Sequence, residues 1–181
     1  ISVVLLHGLE ARMVEHGISR KYGVDQAVGC TTGPGGVFHA LRYTPVMLDI
    51  CRDMEQVCPD GWFLHYANPT TIVPWALNLA SPIKSIGLCH SVQGTAKQLA
   101  GYLGVPYEDT GHWVAGVNHQ AWFLRFEWNG KDAYPLLREK MEDAEIYQQD
   151  VVRFEMMRHF GYFLTESSYH NSEYVPYFRR T

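Results

Sequence analysis

Gly87-Leu88-Cys89-His90-Ser91-Val92-Gln93-Gly94-Thr95 and Gly116-Val117-Asn118-His119-Gln120-Ala121-Trp122 are two polar clusters within the stretch from Ile83 to Trp122. The first closes a short strand, Lys84 to Leu88, and opens a helix, Gln93 to Leu103, which Gly104 and Pro106 end. The second stands at the end of another segment with strand character. Cys89 and His119 are 30 positions apart (119 minus 89). A deprotonated thiol and a neutral imidazole both offer lone pairs to a borderline cation, so the two read as a possible divalent-metal pair. The plainer reading is a buried free cysteine packing like a small hydrophobe, beside an ordinary hydrogen-bonded histidine.

Working back from that strand, Ile1 to Leu6 is a continuous apolar run suited to a sheet buried on both faces. Leu9 to Tyr22 carries a helical pattern, and Gly29 to Gly36 reads as a loop because its glycines and proline suit turns. That loop lacks the spacing of a dinucleotide fingerprint or a Walker motif. Val37 to Val57 predicts a long helix, with Pro45 marking a kink or a second start. Trp62 to Ala67 predicts a strand stopped by Asn68-Pro69, and Thr70 to Leu79 a helix broken by Pro82. The order β-α-β-α-β-α implies right-handed crossovers and a parallel sheet.

Beyond Pro106 the character changes. His112 to Asn118 and Ala121 to Trp128 predict strands, and Asn129-Gly130 is a strong hairpin signal, so antiparallel α+β structure follows. Tyr134 to Tyr147 and Asp150 to Phe160 predict helices, and Thr165 to Tyr177 a functional loop.

Composition excludes several classes. Of 181 residues 46% are apolar and 19% charged, a globular balance. A net charge of −4 lacks the basic footprint of a nucleic-acid partner. No apolar run approaches the roughly 20 residues of a membrane span. The cysteines at 30, 51, 58 and 89 form no Cys-x-x-Cys pair, so a reducing, cytoplasmic setting without a disulfide framework is expected. A buried-type strand starting at Ile1 suggests an internal fragment of a longer protein.

The motifs together resemble glycoside hydrolase family 4, whose enzymes use a nicotinamide cofactor and a divalent metal. Cys89-His90-Ser91-Val92 resembles the signature of the family's α-galactosidase branch. Similar in order along the chain are Gly8-Leu9-Glu10-Ala11-Arg12, Lys21-Tyr22-Gly23, Thr32-Gly33-Pro34-Gly35-Gly36, Tyr66-Ala67-Asn68-Pro69, Gly116-Val117-Asn118-His119 and Gly161 through Ser168. The resemblance implies an α/β fold like that of lactate and malate dehydrogenases. Residues 1–92 would be the second half of a Rossmann-like NAD-binding domain, and residues 93–181 the start of an α+β catalytic domain. The glycine fingerprint for the nucleotide would precede this segment.

The resemblance also implies a chemistry that needs no carboxylate pair. NAD takes hydride from sugar C3, a base removes the acidified C2 proton, and the leaving group departs by elimination. Water then adds and the hydride returns. Cys89 and His119 would be the metal ligands, with Mn2+ or a similar divalent ion stabilising charge on O2 and O3. His90 would assist leaving-group departure. Asn68 would contact cofactor or sugar, and Asn118 the sugar. Tyr162 best matches the C2 base, with Tyr169 and Tyr174 close by, and Ser167, Ser168 and His170 are further candidates for sugar hydroxyls. His7, Cys30 and His65 depart from the family pattern at strand ends expected to face the cleft. The expected partner is a small α-glycoside, with neither nucleic acid nor membrane, and the full-length protein is expected to be a homo-oligomer. The alternatives are an α-glucosidase or α-uronidase of the same family, a hydroxy-acid dehydrogenase using Arg12 or Arg42 as its substrate clamp, and an inactive fragment.

Overall fold

In the computed structural model of the chain, residues 2–3, 9–24, 26, 33–117 and 119–178 are described, and they form two compact units, Ile1–Cys89 and His90–Thr181. His90 is the N-cap of a helix in the second unit whose Val92 packs into that unit's core.

Among its described residues, the first unit holds three parallel strands in the order β1 (Ser2–Val3), β2 (Trp62–His65) and β3 (Lys84–Gly87). Three helices accompany them: α1 (Leu9–Lys21), α2 (Pro34–Val57) and α3 (Ile72–Ala80). The expected strand beyond Val3, and most of the glycine-rich loop, lie outside the described residues. The loop's end does not stay a loop. Pro34, Gly35 and Gly36 open α2, since a proline at the first helical position forfeits no intrahelical bond. Gln26 Oε1 accepts from the Gly35 N–H at 3.2 Å, so a side chain of this same unit takes that amide.

Residues 40, 43, 47, 51 and 54 fall on one face of α2 and pack with Phe63, Val73, Leu77 and Ile83. Pro45 sits on the exposed side and α2 runs through it as one element, because the backbone acceptor left free there can turn to water. Arg42 donates twice to the Glu15 carboxylate, at 2.9 and 3.0 Å, tying α1 to α2. That engagement removes Arg42 as a substrate clamp. Asn78 closes part of the edge of β3, accepting from the Ser85 N–H at 3.1 Å and donating to the Ser85 carbonyl at 3.2 Å.

The expectation that His65 faces a cleft is not met. Alternation along β2 instead turns it inward, 0% exposed, with its ring 5.6 Å from that of Phe63. Burial holds its pKa below the ordinary 6.5, against a smaller opposing pull from the Ala67 backbone. Above pH 6.5 both folded and unfolded forms are neutral. Below it the unfolded chain binds the proton first, so stability falls with pH until the folded pKa is passed. His65→Leu is expected to remove an acid-side loss of up to about 1.4 kcal/mol per pH unit, read from urea midpoints between pH 7 and 5. An unchanged acid slope would show that His65 titrates as an ordinary surface imidazole.

The second unit begins with α4 (Ser91–Leu103), which Gly104 ends in the left-handed region. Strands β4 (Thr110–Val117), β5 (Gln120–Trp128) and β6 (Lys131–Asp132) pair antiparallel in order. Asn129 and Gly130, with φ of 49° and 72°, make the expected tight turn between β5 and β6. The helix expected over 134–147 is two, α5 (Tyr134–Lys140) and α6 (Ala144–Gln149), because Asp143 accepts from the Glu145 N–H at 2.9 Å and restarts the helix as a cap. Then follow α7 (Val151–Phe160), a short strand β7 (Phe163–Leu164) against the other edge of β5, and α8 (Ser168–Tyr174). The expected loop over Thr165 to Tyr177 is thus helical for most of its length. Ser167 supplies that helix with its cap, accepting from the His170 N–H at 3.2 Å. The core is aromatic, with Phe123, Phe126, Phe154 and Phe163 against Leu99 and Leu137. Among the described residues no helix is long and apolar enough to cross a membrane.

Candidate metal centre

Cys89 leaves the parallel sheet at its carboxyl edge. His65 pairs with Gly87, and the Leu88 N–H donates to the His65 carbonyl at 2.8 Å, so Cys89 is the next residue out. Only glycine fits at position 87, where a Cβ would lie 2.4 Å from the Thr70 methyl carbon. Asn68 sits beyond the same edge of β2, where open α/β sheets place ligands. Its Oδ1 accepts from the Thr70 hydroxyl at 3.0 Å, which orients the amide.

His119 stands at the turn between β4 and β5. Gly116, with φ of 137°, allows the two strands to close there, since a Cβ would approach the Ala121 Cα to 2.8 Å. On the other side of β5, pairing with β7 extends one residue further. The Thr165 N–H donates to the Ala121 carbonyl at 2.8 Å, and the Ala121 N–H donates to Thr165 Oγ1 at 3.2 Å. Glu166 is therefore delivered beside His119, its carboxylate 3.4 Å from Nε2. Glu166 has a φ of 67°, a left-handed conformation that a non-glycine residue keeps only when its surroundings enforce it. Asn171 supplies part of that enforcement, donating to the carbonyls of Thr165 and Ser167 at 2.9 and 3.0 Å.

The donor atoms of Cys89, His119 and Glu166 all lie within 4.8 Å of one another. A cation bound about 2.0–2.3 Å from such donors needs them roughly 3–4.5 Å apart, so the set is compact enough to close on one ion. Burial lowers the His119 pKa, outweighing the upward pull of Glu166, and a neutral ring keeps the lone pair that ligation needs. Thiolate, imidazole and carboxylate fit a divalent transition metal. His170 borders the group, with its ring 5.2 Å from that of His119 and Nδ1 3.7 Å from the Glu166 carboxylate.

The other expected residues fall in different places. His90 is exposed at the start of α4, next in the chain to Cys89. Asn118, His7 and Cys30 lie outside the described residues. Tyr162 is set apart from the cluster. The β5–β7 register, with Trp122 opposite Leu164 and Phe123 opposite Phe163, leads the chain at Tyr162 away from the turn that holds His119. It is 42% exposed and packs edge-on against Tyr134, whose own pKa is pushed up to about 12, chiefly by burial. Ser168 donates its hydroxyl proton to Asp150 at 2.8 Å.

Glu166 is the functional candidate that residue type and motif do not single out. It lies 47 positions from His119 (166 minus 119), and no local spacing rule links an acid in a Ser- and Tyr-rich segment to a histidine in a distant turn. Only the pairing of β7 with β5 makes that link.

Residues 2–105 match the family 4 glycosyl hydrolases, and residues 114–181 match the family 4 glycosyl hydrolase C-terminal domain. The chain belongs to glycosyl hydrolase family 4. Within it, the chain is 45% identical over 167 residues to an α-galactosidase of Bacillus subtilis, covering 92% of this chain and 39% of that protein. The fold matches the crystal structure of lplD from Bacillus subtilis with a TM-score of 0.83 and 28% identity, covering 97% of this chain and 46% of that one. It also matches a 6-phospho-α-glucosidase from gut microorganisms, solved in complex with NAD and Mn2+, with a TM-score of 0.75 and 25% identity over 94% of this chain and 42% of that one. The chain thus spans less than half the length of these relatives.

Proposed function

We propose that the full-length protein hydrolyses α-galactosides with NAD and a divalent metal, Mn2+ or a close substitute. The observation that carries this reading is the convergence of Cys89, His119 and Glu166 within 4.8 Å in a chain of this family. The similarity to the Bacillus subtilis α-galactosidase favours galactosides over the glucosides and uronides that the family also includes. In this reading residues up to Cys89 supply part of the NAD-binding domain, and those after it begin the catalytic domain.

Cys89 and His119 hold the metal, with Glu166 beside them as a third donor or as the acceptor that orients His119. When bound, the metal supplies Lewis-acid stabilisation of charge at the sugar O2 and O3 oxygens, and NAD supplies a reversible hydride acceptor for C3. His90, exposed directly after Cys89, delivers a proton to the departing oxygen, since an imidazole can both carry and release one. Asn68 donates its amide N–H groups to a sugar hydroxyl or to the cofactor, its oxygen being engaged by Thr70.

A phenol serving as the C2 base must lie near cationic charge to ionise at neutral pH. The β5–β7 register leads Tyr162 away from the turn that holds His119. Tyr174 is four residues after His170 on α8, hence on the same face one turn on, and the role is assigned to it instead.

The full-length enzyme is expected to release galactose from an aryl α-galactoside only when both NAD and Mn2+ are present. Activity that survives exhaustive chelation and cofactor removal would overturn the proposal. Parallel rates on α-glucoside and α-galacturonide substrates test the sugar separately, and a faster uronide or glucoside would reassign the specificity alone.

A further inference from the structure

We infer that Arg153 is a positioning residue for the metal centre, fastening the segment that presents Glu166 to the helix that follows Cys89 and His90. This rests on the metal reading above. Arg153 is 1% exposed and is among the largest fully buried side chains described. Its guanidinium spends its donors in three directions. Nε donates to Asp150 Oδ1 at 2.7 Å, and Nη2 also pairs with that carboxylate. Nη2 donates to Gln98 Oε1 at 2.5 Å and Nη1 to Thr95 Oγ1 at 3.3 Å, two residues on one face of α4. Nη1 also points at the Leu164 carbonyl, at 3.5 Å, while the guanidinium stacks 4.8 Å above the Phe163 ring.

The guanidinium contact with Leu164 and a separate bond from Ser168 to Asp150 bracket Glu166. Leu164 lies two residues before it, and Ser168 two residues after. The Ser168 hydroxyl donates to Asp150 at 2.8 Å and accepts from the backbone N–H of Arg153 at 3.2 Å. The left-handed backbone at Glu166 is therefore pinned on both flanks by one buried ion pair. Such a pair gains little stability over well-packed apolar side chains, because two charges must leave water. What a guanidinium adds is a rigid planar fork that holds several oxygens at fixed separations, which neither Met nor Lys reproduces.

The test uses the full-length protein, with Mn2+ alone as the probe, titrated by calorimetry and by the electron paramagnetic resonance of the free ion. Arg153→Met is expected to weaken Mn2+ binding at least about tenfold, in the range seen when support of a metal ligand is lost. Ser168→Ala, a milder change, is expected to weaken it several-fold, and Ser168→Thr to restore affinity to within twofold. Where Arg153→Met does not fold, Ser168→Ala and its Thr counterpart decide. Folded variants that bind Mn2+ within twofold of the parent would overturn the inference while leaving the metal site standing. A parent protein that binds no Mn2+ would overturn the metal reading itself, and the inference with it.

Discussion

Cys89→Ala is expected to abolish turnover of the full-length enzyme, lowering kcat by about a thousandfold or more at saturating Mn2+ and NAD. A Lewis acid in such a site supplies several kcal/mol of charge stabilisation, and each 1.36 kcal/mol is about a factor of ten in rate. On the proposed metal reading, losing the only sulfur donor of the set weakens both retention of the ion and its fixed position. A water replacing it neither carries the charge nor is held by the chain. Cys89 follows directly on the paired end of β3, so alanine there leaves the strand and the start of α4 unaltered. The loss should therefore appear in activity and Mn2+ affinity, with the thermal midpoint within a degree or two of the parent. Cys89→Ala turning over within tenfold of the parent would show that the thiol is an ordinary packed side chain.

The second large effect is on stability. Arg153→Ala is expected to cost about 3–5 kcal/mol, measured by urea unfolding followed through tryptophan fluorescence. The reason is the partner left behind. Asp150 is nearly as buried as the arginine and accepts from the hydroxyls of Tyr102, at 2.6 Å, and Ser168. Burial and the Asp150 contact together raise the Tyr102 pKa, so the phenol remains a donor and cannot shed its proton to relieve the site. An uncompensated carboxylate in that setting must stay charged without its cation or take up a proton. The pair Arg52–Asp49 provides the contrast, because both side chains are about two-thirds exposed, at 68% and 69%. Arg52→Ala should change stability by no more than about 0.5 kcal/mol, since water screens what the pair gains. Equal effects at the two arginines would mean that the interior pair is as well solvated as the surface one.

Much of the fold is legible in the residues themselves. Period and punctuation carry the parallel half, namely apolar runs of strand length, helical spacing at 40, 43, 47, 51 and 54, and proline or glycine at the joints. The hairpin at Asn129-Gly130 is readable because both residues tolerate positive φ. Local chemistry misleads where it has two solutions. Pro34-Gly35-Gly36 suits a turn or a helix start, and the amide contact from Gln26 accompanies the second outcome. Asp143 suits a helix interior poorly and a cap well, so one expected helix is two. β7 is two residues long, too short for any periodicity to reveal.

The site divides along the same line. Cys89 and His119 are candidates from residue type, since thiol and imidazole are donors wherever they occur. The place of Tyr162 is one that no motif shows, because strand register leads it away from the turn that holds His119. What the sequence by itself determined was the alternation of elements, the family, and which residue types could bind a metal, because these depend on local periodicity and side-chain chemistry. Only the tertiary structure decided that Glu166 joins His119, that His65 turns inward, and that Arg153 lies buried between α4 and the segment after β7. Those outcomes follow from long-range strand pairing and helix packing, which join positions dozens of residues apart and leave no spacing signal between them.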